Sequence, residues 1–181
     1  MVKRLPLFIF LLFAGALLPG CGYTQKSLLS ESIKNIYIAP VKNGIDLAGE
    51  VNDKKPFRVY RPGVEIDLTN AIINRFIFDG RLKVSGPDKA DAVVEAKLIQ
   101  YRRDPLRYSD GDDVQEYRLS LTLEVSVYRA SDKKVIWQEP TLTGDTTFFL
   151  TGPRALSEDD AVAKAVEDTA RRVVEKTIEI W

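Results

Sequence analysis

Hydrophobic and polar residues alternate most regularly between Glu116 and Tyr128. This period of two predicts a β-strand with one buried face, made of Leu119, Leu121, Leu123, Val125 and Val127. The polar residues between them are expected to face solvent: Arg118, Ser120, Thr122, Glu124 and Ser126. The strand therefore covers a core with one face only.

Shorter apolar and β-branched runs predict further strands. They fall at 33–41, 81–85, 91–101 and 135–149, and the last is expected to bend or break at Pro140. The stretch 42–61 is rich in Gly, Asn, Asp and Pro, which favours a long loop or a small hairpin.

Two segments have helical periodicity. Between 62 and 79, apolar residues recur four apart, and Asp79-Gly80 ends the pattern. The second helix begins after Ser157, whose hydroxyl can cap it, and continues as an apolar stripe to Ile178. The order of elements predicts an α+β two-layer sandwich, with two helices on one face of a mixed four- to five-stranded sheet. We assign a single domain to 33–181.

The N-terminus has the pattern of a cleaved secretion signal. Basic residues at 3–4 precede an apolar run at 7–18, which is shorter than the roughly 20 residues that span a bilayer. The run ends in Leu18-Pro19-Gly20-Cys21, which resembles a bacterial lipoprotein box. We therefore assign 1–20 to a signal peptide and 21–32 to a lipidated tether, with the lipid on Cys21. The alternative is a plain signal peptide and a free or buried thiol.

Composition excludes many functions. The chain has 26 basic and 26 acidic residues and no histidine, so it has neither a strong basic field for nucleic acid nor an imidazole for catalysis or metal binding. The acidic turn Asp110-Gly111-Asp112-Asp113 lacks the spacing of a calcium loop, and Asp159-Asp160 fits a helix N-terminus better than an acid pair. We expect no enzyme, no metal and no cofactor besides the covalent lipid.

Landmarks along the chain resemble those of the LPS-assembly lipoprotein family (LptE). Among them are Cys21-Gly22-Tyr23, the strand 36–40, Asp79-Gly80-Arg81-Leu82, Val135-Ile136-Trp137 and the terminal helix. The stretch 42–61 is longer than the loop usual in that family.

The resemblance implies an outer-membrane component of the lipopolysaccharide translocon. It would bind an LptD-like β-barrel one to one, plug and help assemble that barrel, and bind lipopolysaccharide. Since Gly22 rather than Asp follows the cysteine, similarity to enterobacterial sorting rules implies a lipid-anchored protein on the periplasmic side of the outer membrane. The alternative is a lipoprotein that activates a peptidoglycan synthase from the periplasm.

The lipopolysaccharide site is predicted at one end of the sheet. The turn after Tyr101 and the turn before Ser157 should meet there and bring together four arginines: Arg102, Arg103, Arg107 and Arg154. Guanidinium groups bind phosphates through paired hydrogen bonds, and lipid A carries phosphates. The alternative is a solvated rim partly neutralised by Asp104 and Asp110.

Overall fold

The computed structural model describes residues 33–45 and 60–179. Cys21, the signal and tether segments and most of the 42–61 stretch lie outside the described residues. The described elements are strands β1 (Asn35–Ile38), β2 (Lys42–Asn43), β3 (Lys83–Val84), β4 (Ala92–Tyr108), β5 (Val114–Arg129) and β6 (Val135–Phe149), helices α1 (Val64–Asp79) and α2 (Glu158–Glu179), and a short 3-10 helix at Pro87–Lys89.

All six strands form one mixed sheet in the order β3-β1-β4-β5-β6, with β2 paired to β4. Strand β1 pairs in parallel with β3 and with β4, and β2 also pairs in parallel with β4. Strands β4, β5 and β6 form an antiparallel meander. Strand β1 joins β4 across a long sequence separation, with Ile36 opposite Ala92. The α+β prediction is confirmed, with six strands instead of four to five.

The two helices lie parallel on one face of the sheet. Arg61 pairs with Asp159 at 2.8 Å near their N-termini, and Arg75 approaches Glu175 at 3.8 Å nearer their C-termini. The apolar stripe of α1 is buried as its spacing predicts: Val64, Leu68, Ile72 and Phe76. The Ser157 hydroxyl accepts a hydrogen bond from the Asp160 N–H at 3.1 Å and so caps α2.

The predicted core face of β5 is confirmed, because all five of its Leu and Val side chains are fully buried. The solvent face differs from the prediction at Thr122. Its side chain is only 6% exposed and its hydroxyl lies 3.0 Å from that of Thr143 on β6. The hydroxyls of Thr122 and Thr143 form a hydrogen bond with each other, which allows the polar Thr122 side chain to be buried. A pattern of apolar and polar residues does not predict such a burial.

Strand β4 is longer than predicted. Instead of turning after Tyr101, it continues through Pro105 to Tyr108 and pairs with β5 as far as Val114. Pro105 is tolerated because beyond Leu98 β4 has β5 as its single described partner, and proline within a sheet is accommodated on such edge strands. The turn that follows is the acidic segment at 109–113, where the Ser109 hydroxyl accepts the N–H groups of Gly111 and Asp113.

Candidate functional site

The far ends of β4, β5 and β6 carry the candidate site. We call this region the arginine end; it comprises residues 102–108, 114–118 and 147–157. The connection from β6 to α2 folds back on β6 through a bridge between Phe149 and Ala155, and the Leu150 N–H donates to the Gln115 carbonyl at 3.0 Å. All four predicted arginines therefore lie at one end of the sheet, although three are on a strand and not in a turn.

Arg103 faces the helices, since its cross-strand partner is the buried Leu119. Its guanidinium donates to Glu158 Oε2 at 2.6 Å and lies 4.9 Å from the centre of the Tyr117 ring. The Tyr117 ring in turn stacks on the buried Phe148. With only 23% of its side chain exposed, Arg103 fastens the start of α2 to the sheet and has little surface left for a ligand.

Arg102 and Arg107 lie on the opposite face of the sheet. Arg102 Nε donates to Asp104 Oδ2 at 2.5 Å on the same strand. Arg107 is 61% exposed, approaches Glu116 at 3.6 Å and lies 5.7 Å from the centre of the Phe149 ring. Because the two arginine side chains are 47% and 61% exposed, these pairs are weak and salt-sensitive, and the guanidinium groups can exchange a carboxylate for a phosphate.

Arg154 lies in the connection between β6 and α2. The turn before it uses Gly152 at φ 89°, a left-handed conformation that favours glycine. Its side chain is exposed and has no ion-pair partner within 33–45 and 60–179. Of the four predicted residues, Arg107 and Arg154 are thus the most available to an anion.

Three exposed apolar side chains at the same end were not predicted. Leu106, Tyr108 and Leu150 are 43%, 52% and 46% exposed. A signal for two of them was present, because Leu106 and Tyr108 alternate with the charged Arg107 as strand residues do. The arginine end therefore combines cationic and apolar groups, as a surface for an acylated phosphate would.

The sheet face away from the helices is polar and no described element covers it. It carries ion pairs between neighbouring strands, including Arg118 of β5 with Asp145 of β6 at 3.9 Å. Hydroxyl side chains such as Ser120 and Thr147 lie opposite these charged residues on the paired strands. A polar, hydrogen-bonding face of this kind suits contact with another polar protein surface.

The phenol of Tyr101 is the titratable group at this end whose pKa departs most from its usual value. Burial, together with the charge of Glu158, raises the pKa of Tyr101 to about 12, so the phenol releases its proton less readily than an exposed tyrosine. Among the described residues no cluster of carboxylates or thiols is arranged to hold a metal ion. In the same part of the chain, neither helix combines the length and apolar character needed to cross a bilayer.

Comparison with known proteins gives a family match over most of the described domain. A family model described as LptE, lipopolysaccharide-assembly, matches residues 33–177. No curated protein matches the chain by sequence.

Solved structures with similar folds have low sequence identity. A protein from Xanthomonas campestris superposes with a TM-score of 0.56 at 14% identity, covering 83% of this chain and 90% of its own. A hypothetical protein from Chlamydia trachomatis gives 0.51 at 12% identity, with coverages of 81% and 97%. The rare lipoprotein B of Shewanella oneidensis gives 0.46 at 13% identity, with coverages of 81% and 95%.

Proposed function

Because the chain belongs to the LptE lipopolysaccharide-assembly family, we propose that it is the outer-membrane lipoprotein of a lipopolysaccharide translocon. The match over 33–177 is the observation that carries this proposal, since it spans the sheet and both helices. In this role the protein is a binding and assembly factor and not an enzyme.

The proposed partner is an LptD-like outer-membrane β-barrel, bound one to one and plugged by this domain. Support comes from the uncovered polar face of the sheet, because the lumen of a large barrel is lined by polar side chains. A plug must also keep its shape inside the lumen, and the continuous core beneath α1 and α2 provides that rigidity.

The proposed ligand is lipopolysaccharide, bound at the arginine end. Arg107 and Arg154 would contact its phosphates, with Arg102 beside them, while Leu106, Tyr108 and Leu150 would contact apolar chains. Arg103 has a structural part in this proposal, because its guanidinium is already committed to Glu158.

The proposed anchor is a lipid on Cys21, which would hold the protein on the periplasmic side of the outer membrane. Two or more acyl chains are needed for firm anchoring, since one chain binds reversibly. A Cys21→Ser variant should remain folded and leave the membrane fraction, whereas the parent should require detergent. Retention of the variant in washed membranes would contradict lipid anchoring.

The partner is tested by extracting the tagged full-length chain in mild detergent and isolating it by affinity. Recovery of a large β-barrel protein in equal amount supports the proposal. Recovery of a penicillin-binding protein without a barrel would instead favour activation of a peptidoglycan synthase. If the uncovered polar face of the sheet contacts the barrel, a variant with Ser120 and Thr147 both replaced by Arg should no longer recover the barrel protein.

A further inference from the structure

The end of the domain opposite the arginine end carries exposed lysines. We call it the lysine end and define it by Lys34, Lys83, Lys89, Lys133 and Lys134. The sheet brings these together: Lys83 donates its N–H to the Lys34 carbonyl, and the Ala130 N–H beside the β5–β6 turn donates to the Asp91 carbonyl.

Most carboxylates at the lysine end are already engaged. Asp79 approaches Arg81 at 3.4 Å and Asp132 approaches Arg129 at 3.2 Å. Asp91 accepts the backbone N–H groups of Lys34 and Asn35 at 2.9 and 2.8 Å. The five lysines, by contrast, make no ion pair within the described ranges 33–45 and 60–179. Asp88 and Asp91 offset part of their charge, and this end keeps a net positive charge.

Two exposed apolar side chains lie at the same end of the domain, because α1 ends at Asp79, four residues before Lys83. Ile77 and Phe78 end α1 and are 62% and 81% exposed. The Arg75 guanidinium lies 5.4 Å from the centre of the Phe78 ring. An exposed aromatic ring with aliphatic and cationic neighbours is the composition that binds the interface of an anionic bilayer.

The chain also enters the fold at this end. Ile33, the first described residue, directly precedes Lys34, and eleven residues separate it from Cys21. A chain of that length reaches at most about 40 Å when fully extended. If Cys21 carries the proposed lipid, the lysine end is the part of the domain held nearest to the membrane.

We infer that the lysine end of the free lipoprotein, before it meets its partner, rests on the surface of an anionic bilayer, with Phe78 and Ile77 in the interface. The inference rests on the proposed anchor at Cys21. The arginine end then points away from the bilayer, because it lies at the opposite end of β4 and β5. Charge complementarity between the lysines and lipid phosphates directs this orientation, and the two apolar side chains add contact area.

The test measures depth at two positions on one helix. A nitroxide is placed at Phe78→Cys or, as the matched control, at Ile66→Cys in the full-length chain. Both side chains are exposed and apolar, but Ile66 lies at the arginine end of α1. The protein is reconstituted in vesicles of phosphatidylethanolamine and phosphatidylglycerol, and collision rates with oxygen and with a water-soluble nickel complex are measured.

At position 78 the ratio of oxygen to nickel collisions should rise several-fold above that at position 66. Replacing Lys34, Lys83 and Lys89 together by Glu should return position 78 to the value at position 66, and neutral phosphatidylcholine vesicles should do the same. Equal ratios at the two positions in anionic vesicles would overturn the inference. So would a high ratio at 78 that persists in the triple variant, since charge would then have no part.

Mass spectrometry of the same preparation separates this inference from the anchor. An intact acylated Cys21 with a water-exposed position 78 refutes the surface contact and leaves the anchor standing. Unacylated protein refutes the anchor. In that case the protein is sedimented with the vesicles, and the same depth measurement on the bound fraction decides whether the lysine end contacts the bilayer. Protein that does not sediment with the vesicles refutes the surface contact as well.

Discussion

Gly144 on β6 lies directly against the backbone of Thr169 on α2. A Cβ on Gly144 would stand 2.2 Å from Thr169 Oγ1 and 2.5 Å from its backbone N and Cα. Since Thr169 is itself fully buried and its hydroxyl donates to the Ala165 carbonyl at 2.7 Å, the helix cannot withdraw without opening the core. This contact sets how closely α2 packs on the edge of the sheet.

Gly144→Ala should therefore be strongly destabilising, by about 1–3 kcal/mol or more, the range for overpacked cores. Removing the hydroxyl in Gly144→Ala/Thr169→Ala should recover little of this, because two of the three close atoms belong to the backbone. Urea unfolding of the domain measures both. Gly86→Ala is the control, since a Cβ there meets nothing within 4 Å, and a comparable loss in the control would contradict the packing argument.

Leu123 and Thr122 on β5 test the two faces of the sheet. Leu123→Ala should cost about 2–5 kcal/mol, as for other large-to-small core changes. Thr122→Ala should cost about 1 kcal/mol, because it leaves the Thr143 hydroxyl without its partner. If Thr122→Ala unfolds at the same urea concentration as the parent, the hydroxyl pair contributes nothing to stability.

Asp91 should make folding sensitive to acid. Backbone N–H groups of Lys34 and then Asn35 hold the pKa of its carboxyl below the usual range. A depressed folded pKa adds stability above the unfolded value of about 4, and that stability is lost as the pH falls through the folded pKa.

Asp91→Asn should accordingly lower the melting temperature near neutral pH, and the difference from the parent should shrink as the pH drops below about 5. Asp88→Asn, an exposed change in the neighbouring 3-10 helix, serves as the control. A gap between parent and Asp91→Asn that stays constant down to low pH would show that the charge of Asp91 is not responsible.

Lipopolysaccharide binding should depend on Arg107 and Arg154. Replacing both by Glu should weaken binding about tenfold or more, as expected for lost charge-assisted hydrogen bonds of about 1.5 kcal/mol. Binding should also weaken as salt rises. The melting temperature of the domain should fall only slightly. Arg154 is exposed, and at position 107 the cost is that of like charges opposite Glu116, a cross-strand pair of less than about 1 kcal/mol.

The matched control reverses two exposed lysines outside the arginine end, Lys42 and Lys164, and so makes the same change in net charge. Equilibrium binding of purified lipopolysaccharide across a salt series measures both variants. An equal loss in the control would mean that overall charge, and not the arginine end, determines affinity.

Much of the fold was predictable because apolar residues recur at a regular spacing within each helix and strand. The four-residue spacing in α1 and the two-residue spacing in β5 both identify buried side chains correctly, from Val64 to Phe76 and from Leu119 to Val127. Burial of a large apolar face dominates the stability of such elements, so the pattern reports it directly.

The arginine end was less predictable for two physical reasons. Arg102, Arg103 and Asp104 followed by Pro105 have poor intrinsic strand propensity, yet pairing with β5 keeps them extended. Alternation would place Arg103 and Arg107 on the same face, but the register shift between Pro105 and Arg107 turns Arg107 to the opposite face. Only the positions of Glu158 and Tyr117 reveal that Arg103 is occupied. The sequence therefore predicted that the four arginines lie at one end of the sheet, whereas their tertiary contacts determine which of them are free to bind an anion.

The pairing of β1 with β4 has a consequence for the order of folding. In the meander from β4 to β6, neighbouring strands are joined by short turns. The pairing of Ile36 with Ala92 instead closes a much longer loop of the chain, which costs more conformational entropy. We expect the meander to acquire hydrogen-exchange protection first and β1 to be protected last. In a chain that emerges N-terminus first, β1 therefore stays without its partner strand until β4 has also emerged.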